Sequence, residues 1–344
     1  MKNIKPLIRP NILELKAYSS ARNEYTGEGG IFLDANENPF GDMNRYPDPQ
    51  QRKLKAKLSE LHNIPANNIF VGNGSDEIID LTFRVFCTPG KDRVIICPPT
   101  YGMYEVCADI NNVEVVRIPL DENFQPNVSE ILETDAKVLF LCSPNNPTGN
   151  NLENIEEITR NFNGIVFVDE AYIDFSSKPS LREKVNQYPN LIVSQTLSKA
   201  WGKAAIRVGI AYMSSQIIGY FNKVKPPYNV SQLNQKEAIK TLEQLDEFNK
   251  NKQTILDQRS LLLSQLSDLS LVEKIYPTDA NFILMKTKNA NLIYEKLLEE
   301  KIVVRNRHSA IENCIRITVG EPIENQKLIE TLKAMETRSV NTNS

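Results

Sequence analysis

The chain has 344 residues but only two histidines, His62 and His308, and a single tryptophan. Two histidines exclude a multi-histidine metal centre and leave a histidine-centred triad without support, so no metal site is expected. The five cysteines (Cys87, Cys97, Cys107, Cys142, Cys314) form no C-x-x-C pair and are odd in number. That pattern reads as reduced, cytoplasmic thiols. No apolar run approaches the roughly 20 residues that span a bilayer. The opening stretch, with prolines at 6 and 10 and charges throughout, does not read as a secretory signal. An excess of positive charge is also missing: 40 basic against 43 acidic side chains leave a net charge of −3. Neither a membrane nor a nucleic-acid partner is expected from such a chain. What remains is ordinary globular composition, 41% hydrophobic and 24% charged. At about 150 residues per domain it is long enough for two domains. The chemistry must come from residues other than histidine, or from a cofactor.

Between about residues 70 and 215, short β-rich runs alternate with helical patterns. Strands are predicted at 93–97, 137–142, 165–169, 191–196 and 207–213, several of them nearly continuous Val, Ile, Leu and Phe. Helices are predicted at 75–87, 101–110, 152–162 and 215–224. This alternation predicts an α/β domain, a mostly parallel sheet between two helical layers. After Pro226-Pro227 the texture changes. Residues 232–268, free of Gly and Pro, read as one long connecting helix. Strands at 281–286, 302–305 and 314–319, with helices near 290–301 and 324–336, then predict a smaller α+β unit. The first thirty residues read as an arm packing against it. The expected division is therefore 1–30, 31–250 for the large domain and 251–344 for the small one, with a fraying RSVNTNS tail.

The suggestive residues sit at predicted strand ends, where open α/β sheets bind ligands. Lys199, in LSKAW, reads either as a partly desolvated amine able to form a Schiff base or as a solvated surface lysine. Asp169 ends the run IVFVD, where a buried acid needs a cationic partner such as a pyridinium nitrogen; a helix cap is the other reading. Tyr172, three residues on, reads as a hydroxyl in the same pocket or as packing. SPNNPTG (143–149) is stiffer than a plain turn requires and presents Asn146. Cys142, just before it, reads as core. GNGSDE (72–77) opens a helix whose amides can hold a phosphate, although Asp76 and Glu77 would repel an anion. Arg207 is either a phosphate ligand or half of a surface ion pair.

SPNNPTG, VDEAY, TLSKAW-x5-R and RITVG (316–320), in this order, resemble fold-type-I aminotransferases dependent on pyridoxal phosphate (PLP). Within them the chain is similar to the histidinol-phosphate aminotransferase branch, through LKAYSSAR (15–22), LDANENP (33–39), NRYPDPQ (44–50) and CPPTYGMY (97–104). The resemblance runs from about residue 15 to residue 335. It implies that Lys199 carries the Schiff base and shuttles the proton, and that Asp169 keeps the ring nitrogen protonated. Asn146 and Tyr172 would bond the phenolic oxygen, and Tyr101 would stack on the ring. Ser75, Asp76, Ser198 and Arg207 would hold the cofactor phosphate, with Arg207 as its counter-charge, which offsets the two acids. Tyr46 would reach the phosphate of the neighbouring subunit's cofactor, so a homodimer with shared sites is implied. Arg316 would bind the substrate anion, with Arg305 and Tyr18 lining the same pocket.

Lys203, in a position where relatives are usually apolar, is expected to add charge near the phosphate; His308 reads as surface or packing. The resemblance thus implies a cytoplasmic enzyme that exchanges an amino group between histidinol phosphate and 2-oxoglutarate. Alternatives on the same fold are a threonine-phosphate decarboxylase and an aromatic amino-acid aminotransferase. A regulator built on this fold would carry an extra DNA-binding domain, for which residues 1–30 are too few.

Overall fold

The computed structural model describes residues 3–17 and 29–341. Its larger sheet has seven strands: β1 (Ile69–Asn73), β2 (Arg93–Ile96), β3 (Glu114–Arg117), β4 (Val138–Cys142), β5 (Ile165–Asp169), β6 (Leu191–Thr196) and β7 (Val208–Met213). They lie in the order β1-β7-β6-β5-β4-β2-β3. The central strands VLFLC and IVFVD are buried at every position. Such runs cannot face water on either side, and helices cover both faces, giving the expected α/β class. One apolar cluster lies on each face. Leu139, Val166 and Val193 belong to one, and Phe140, Phe167 and Ile192 to the other.

Strand β7 departs from the parallel expectation, pairing antiparallel with both β1 and β6. Only Leu197 to Arg207 separate it from β6. That is too short for a covering helix to carry the chain back to the sheet's starting edge, so the chain reverses and returns alongside. The predicted helix 232–268 is two helices, Gln232–Leu242 and Leu245–Ser267. Ala238 and Leu242 pack into the large core, whereas Leu262 and Leu266 pack into the small one. One straight axis cannot serve both, and the break falls at Glu243 and Gln244 although neither is a helix breaker.

The smaller sheet orders β8 (Val272–Ile275), β9 (Phe282–Thr287), β10 (Arg305–Asn306) and β11 (Cys314–Thr318) as β10-β11-β9-β8. The strand expected at 302–305 shrinks to two residues, because Ile302 and Val304 pack inward against the small core before pairing begins. Strands β1, β3 and β8 are additional to the prediction; all three form sheet edges, and EVVR and VEKI each carry two charges. The N-terminal arm is also corrected. Ile4, Ile8 and Ile12 are buried in the large-sheet core with Val85, Phe86 and Phe221. The Arg9 amide donates to the Val85 carbonyl at 3.0 Å, and the Lys223 ammonium to the Leu13 carbonyl at 3.1 Å. The chain is extended at Ile8 and Arg9, between the short turns Lys5–Leu7 and Pro10–Glu14, and all three isoleucines are covered by the large domain. All five cysteines are unpaired and buried.

Candidate active site

Strands β4, β5 and β6 end side by side: Cys142 is in register with Asp169, and Asp169 with Ser194. The segments that follow them therefore start from one edge of the sheet. They line a cavity of about 570 Å³ together with the helix start at Ser75 and Asp76, the turn at Thr100–Met103, and arginines of the small sheet. That volume lies within the roughly 300–1,000 Å³ of small-molecule sites.

Asp169 is buried on the cavity floor, 3% exposed. The Tyr104 hydroxyl donates to its Oδ2 at 2.9 Å and the Ala171 amide to its Oδ1 at 3.1 Å. Burial pushes the carboxyl up to about 6, while the two donors pull it back. It does not cap a helix: the next helical turn is Ile173–Phe175, with Tyr172 at its cap. A buried acid raised in this way fits a positively charged ring nitrogen.

Lys199 lies in the turn after β6, its Nζ 5.5 Å from the centre of the Tyr172 ring. Burial lowers its pKa first and the Arg316 charge lowers it further, against the pull of Asp169. Both effects favour the neutral, nucleophilic amine. Tyr172 itself is nearly buried and packs edge-on against Phe282 at 5.0 Å.

The start of helix Gly74–Phe86 supplies an anion cradle. Gly74 has φ +76°, and its amide donates to the Arg207 carbonyl at 2.9 Å. A Cβ on Gly209 would lie 2.4–2.6 Å from the Gly74 and Ser75 backbone. Only glycine therefore lets β7 bring Arg207 against the first-turn amides, which a helix leaves without internal partners. Asp76 does not stand as a bare negative charge. It accepts from Tyr101 Oη at 3.2 Å and from Arg207 Nη2 at 3.4 Å. Glu77 accepts instead from the Asn73 amide and from Asn229 Nδ2. Ser198 accepts from the Thr196 hydroxyl at 2.9 Å.

The far wall belongs to the small sheet. Arg316 on β11 is in register with Arg305 on β10. Its Nη1 donates to Asn146 Oδ1, and its Cζ lies 5.1 Å from the centre of the Phe282 ring. Its Nε is buried without a partner. The loop presenting Asn146 is tied by Asn145, whose Nδ2 donates to Thr148 Oγ1 at 2.7 Å and to the Pro99 carbonyl at 2.9 Å.

Every residue expected from the sequence lines this cavity except Tyr46 and Tyr18. Tyr46 is 50% exposed and stacks on Tyr228 at 4.4 Å, and Tyr18 lies outside the described residues. Lys203 does not add its charge to the phosphate cradle: its Nζ pairs with Glu237 at 2.7 Å, outside the cavity. His308 closes a surface turn by accepting from the Asn313 amide. Cys142 borders the cavity but is buried, with its thiol pKa pushed up by burial. Sequence reasoning missed Tyr104 and Arg307. The signals were present: Tyr104 follows Tyr101 by three residues, one helical turn, and Arg307 follows Arg305 by two, one strand repeat.

Residues 21–332 match the family of class I and II aminotransferases. The histidinol-phosphate aminotransferase of Christiangramia forsetii is 52% identical over 97% of this chain and 98% of that protein. That of Bacteroides thetaiotaomicron is also 52% identical, over 97% of this chain and 99% of that protein. Among solved structures, the histidinol-phosphate aminotransferase of Clostridium acetobutylicum superposes with a TM-score of 0.80 at 24% identity, covering 86% of this chain and 92% of that one. The Sinorhizobium meliloti enzyme in complex with pyridoxal-5'-phosphate superposes with a TM-score of 0.78 at 20% identity, over 85% and 83%.

Proposed function

The chain belongs to the class I and II aminotransferases, enzymes dependent on pyridoxal phosphate, and we propose that it exchanges an amino group between histidinol phosphate and 2-oxoglutarate in histidine biosynthesis. The observation that carries this reading is a single cavity that joins a depressed lysine amine, a buried acid and an arginine wall.

Pyridoxal phosphate bound here supplies an electrophilic carbon and an electron-withdrawing ring that acidifies the substrate's Cα proton. Asp169 would hold the ring nitrogen's proton by an ion pair, and Tyr104 and the Ala171 amide hold Asp169. Asn146 and Tyr172 would bond the phenolic oxygen, and Tyr101 would cover the ring. The first-turn amides at Ser75 and Asp76, with Ser198 and Arg207, would take the cofactor phosphate. Lys199 Nζ would hold the cofactor's electrophilic carbon, and its amine, kept neutral by burial and Arg316, would serve as the base that moves the substrate's Cα proton. Arg316, with Arg305, grips the anionic end of each substrate in turn.

The active unit is a homodimer in the cytoplasm. In support, Ile31, Leu33 and Phe40 are 91%, 90% and 82% exposed in the segment that leads to Tyr46. Large apolar side chains left this exposed fit a surface that a second subunit covers. The cysteines are unpaired, and among the described residues no helix is long and apolar enough to cross a membrane. We take the small domain to begin near residue 251, within helix Leu245–Ser267.

The purified enzyme is to be incubated with 2-oxoglutarate and either histidinol phosphate or threonine phosphate. Glutamate formed from histidinol phosphate is the expected result. Carbon dioxide released from threonine phosphate would make the chain a decarboxylase of the same fold.

A further inference from the structure

Three guanidinium groups, those of Arg305, Arg307 and Arg316, share one wall of the cavity. Strand β10 comprises only Arg305 and Asn306, but its ladder continues, since the Arg307 amide donates to the Cys314 carbonyl at 2.9 Å. Arg305 and Arg307, two apart, therefore leave the strand on one face, and Arg316 stands opposite Arg305. Like charges placed opposite each other on a sheet repel. Here the repulsion has no internal remedy: among the described residues no carboxylate forms an ion pair with any of the three. Arg316 leans on Asn146 and the Phe282 ring. Arg307 is half-buried, and its Nε is buried with no hydrogen-bond partner. Burial and its two arginine neighbours all disfavour its charge. An anion entering the cavity would offset all three charges at once.

The two substrates of the proposed reaction differ in what they bring. A carboxylate carries one charge and two oxygens, which one bidentate guanidinium satisfies. A phosphate monoester carries about −1.5 to −2 at neutral pH and three terminal oxygens. We propose that Arg307 is a substrate-binding residue specific to the phosphate monoester, adding a further guanidinium to the Arg316 site when the dianion is bound and contributing little when a carboxylate takes its place. This rests on the transaminase reading above and extends it to how one pocket accepts two kinds of anion.

The test uses the loaded enzyme and measures each half-reaction separately by single turnover, with histidinol phosphate and with glutamate. Inorganic phosphate serves as a competitor in the glutamate half. Arg307→Gln is expected to weaken histidinol phosphate binding by roughly ten- to a hundredfold, as loss of a charge-assisted contact does. Phosphate inhibition should weaken in parallel, while the glutamate half-reaction stays within about twofold and so reports an intact fold. Arg307→Lys, which keeps the charge but loses the fork, should recover part of the loss. Equal losses in both half-reactions, or unchanged inhibition by phosphate, would overturn the proposal. Failure of the wild-type enzyme to convert histidinol phosphate would overturn the functional reading instead, because inorganic phosphate still reports on Arg307.

Discussion

Tyr104 and Asp169 make a buried contact on the cavity floor, phenol hydroxyl to carboxylate Oδ2 at 2.9 Å, with the tyrosine fully covered. The phenol is held in place from behind, where its ring stacks on Phe140 at 5.0 Å and Phe140 stacks on Phe83 at 5.1 Å. Two donors are not enough to keep the acid at its ordinary value. Burial still wins, and the carboxyl stands at about 6 against a reference of 3.8.

The first consequence is a pH dependence of the cofactor-free protein. A carboxyl whose pKa is raised on folding contributes stability in its protonated form, fully present below about pH 4 and lost as pH rises through about 6. At 1.36 kcal/mol per unit, about 3 kcal/mol is at stake. The difference in Tm between cofactor-free wild type and Asp169→Asn should shift steadily across that window. A constant difference from pH 4 to pH 7 would mean that the acid is not raised.

Tyr104→Phe deletes one donor to Asp169 and leaves the ring stack intact. The ionised acid becomes harder to maintain, so affinity for a cofactor with a cationic nitrogen should fall by roughly tenfold or more, the usual worth of a hydrogen bond to a charged group. Fluorescence titration of the cofactor-free variant with pyridoxal phosphate measures this. An unchanged Kd would assign Tyr104 to packing alone.

Lys199 is expected to be the only lysine joined to the cofactor, since it alone lines the cavity among lysines of the described chain. Borohydride reduction of the loaded enzyme followed by peptide mapping should place the pyridoxyl label there. Label on another lysine would displace Lys199 from its role.

Arg316→Lys should slow both half-reactions, by roughly ten- to a hundredfold in kcat/KM, because the same guanidinium meets either anion. Cofactor loading should survive, as Arg207 sits at the opposite cradle. The contrast with Arg307→Gln, which spares glutamate, separates a shared cation from a selective one.

Tyr46 tests the assembly. If it completes the neighbouring subunit's site, mixing Tyr46→Phe subunits with Lys199→Ala subunits gives hybrids containing one wild-type site. Activity above that of either parent is expected. Hybrids that form but stay inactive would place Tyr46 outside the shared machinery.

How much of this was readable before folding depends on what each element needs. The five strands predicted for the large sheet form because runs such as IVFVD have no polar face to offer water, a property of the residues alone. Lys199, Asp169 and Asn146 were legible for a related reason: each sits where a strand ends, and such a sheet opens its ligand crevice at strand ends. The short edge strands β3 and β8 were not legible, because two charges in four residues hide the period. The break at Glu243 and Gln244 was equally silent, since nothing in TLEQLDEF stops a helix.

The sequence by itself determined the α/β class, the strand ends and the chemical character of the residues placed there. Those follow from local patterning, which acts over a few residues. The tertiary structure alone decided that Tyr104 would reach Asp169 across 65 positions of chain, that Arg316 would lean on Asn146 across 170, and that the N-terminal arm would dock on the large core. It also set Arg307 beside Arg305 and Arg316 and, among the described residues, gave them no acid partner. Contacts of that range depend on how sheets and helices pack, and no local propensity encodes the partner that packing will bring.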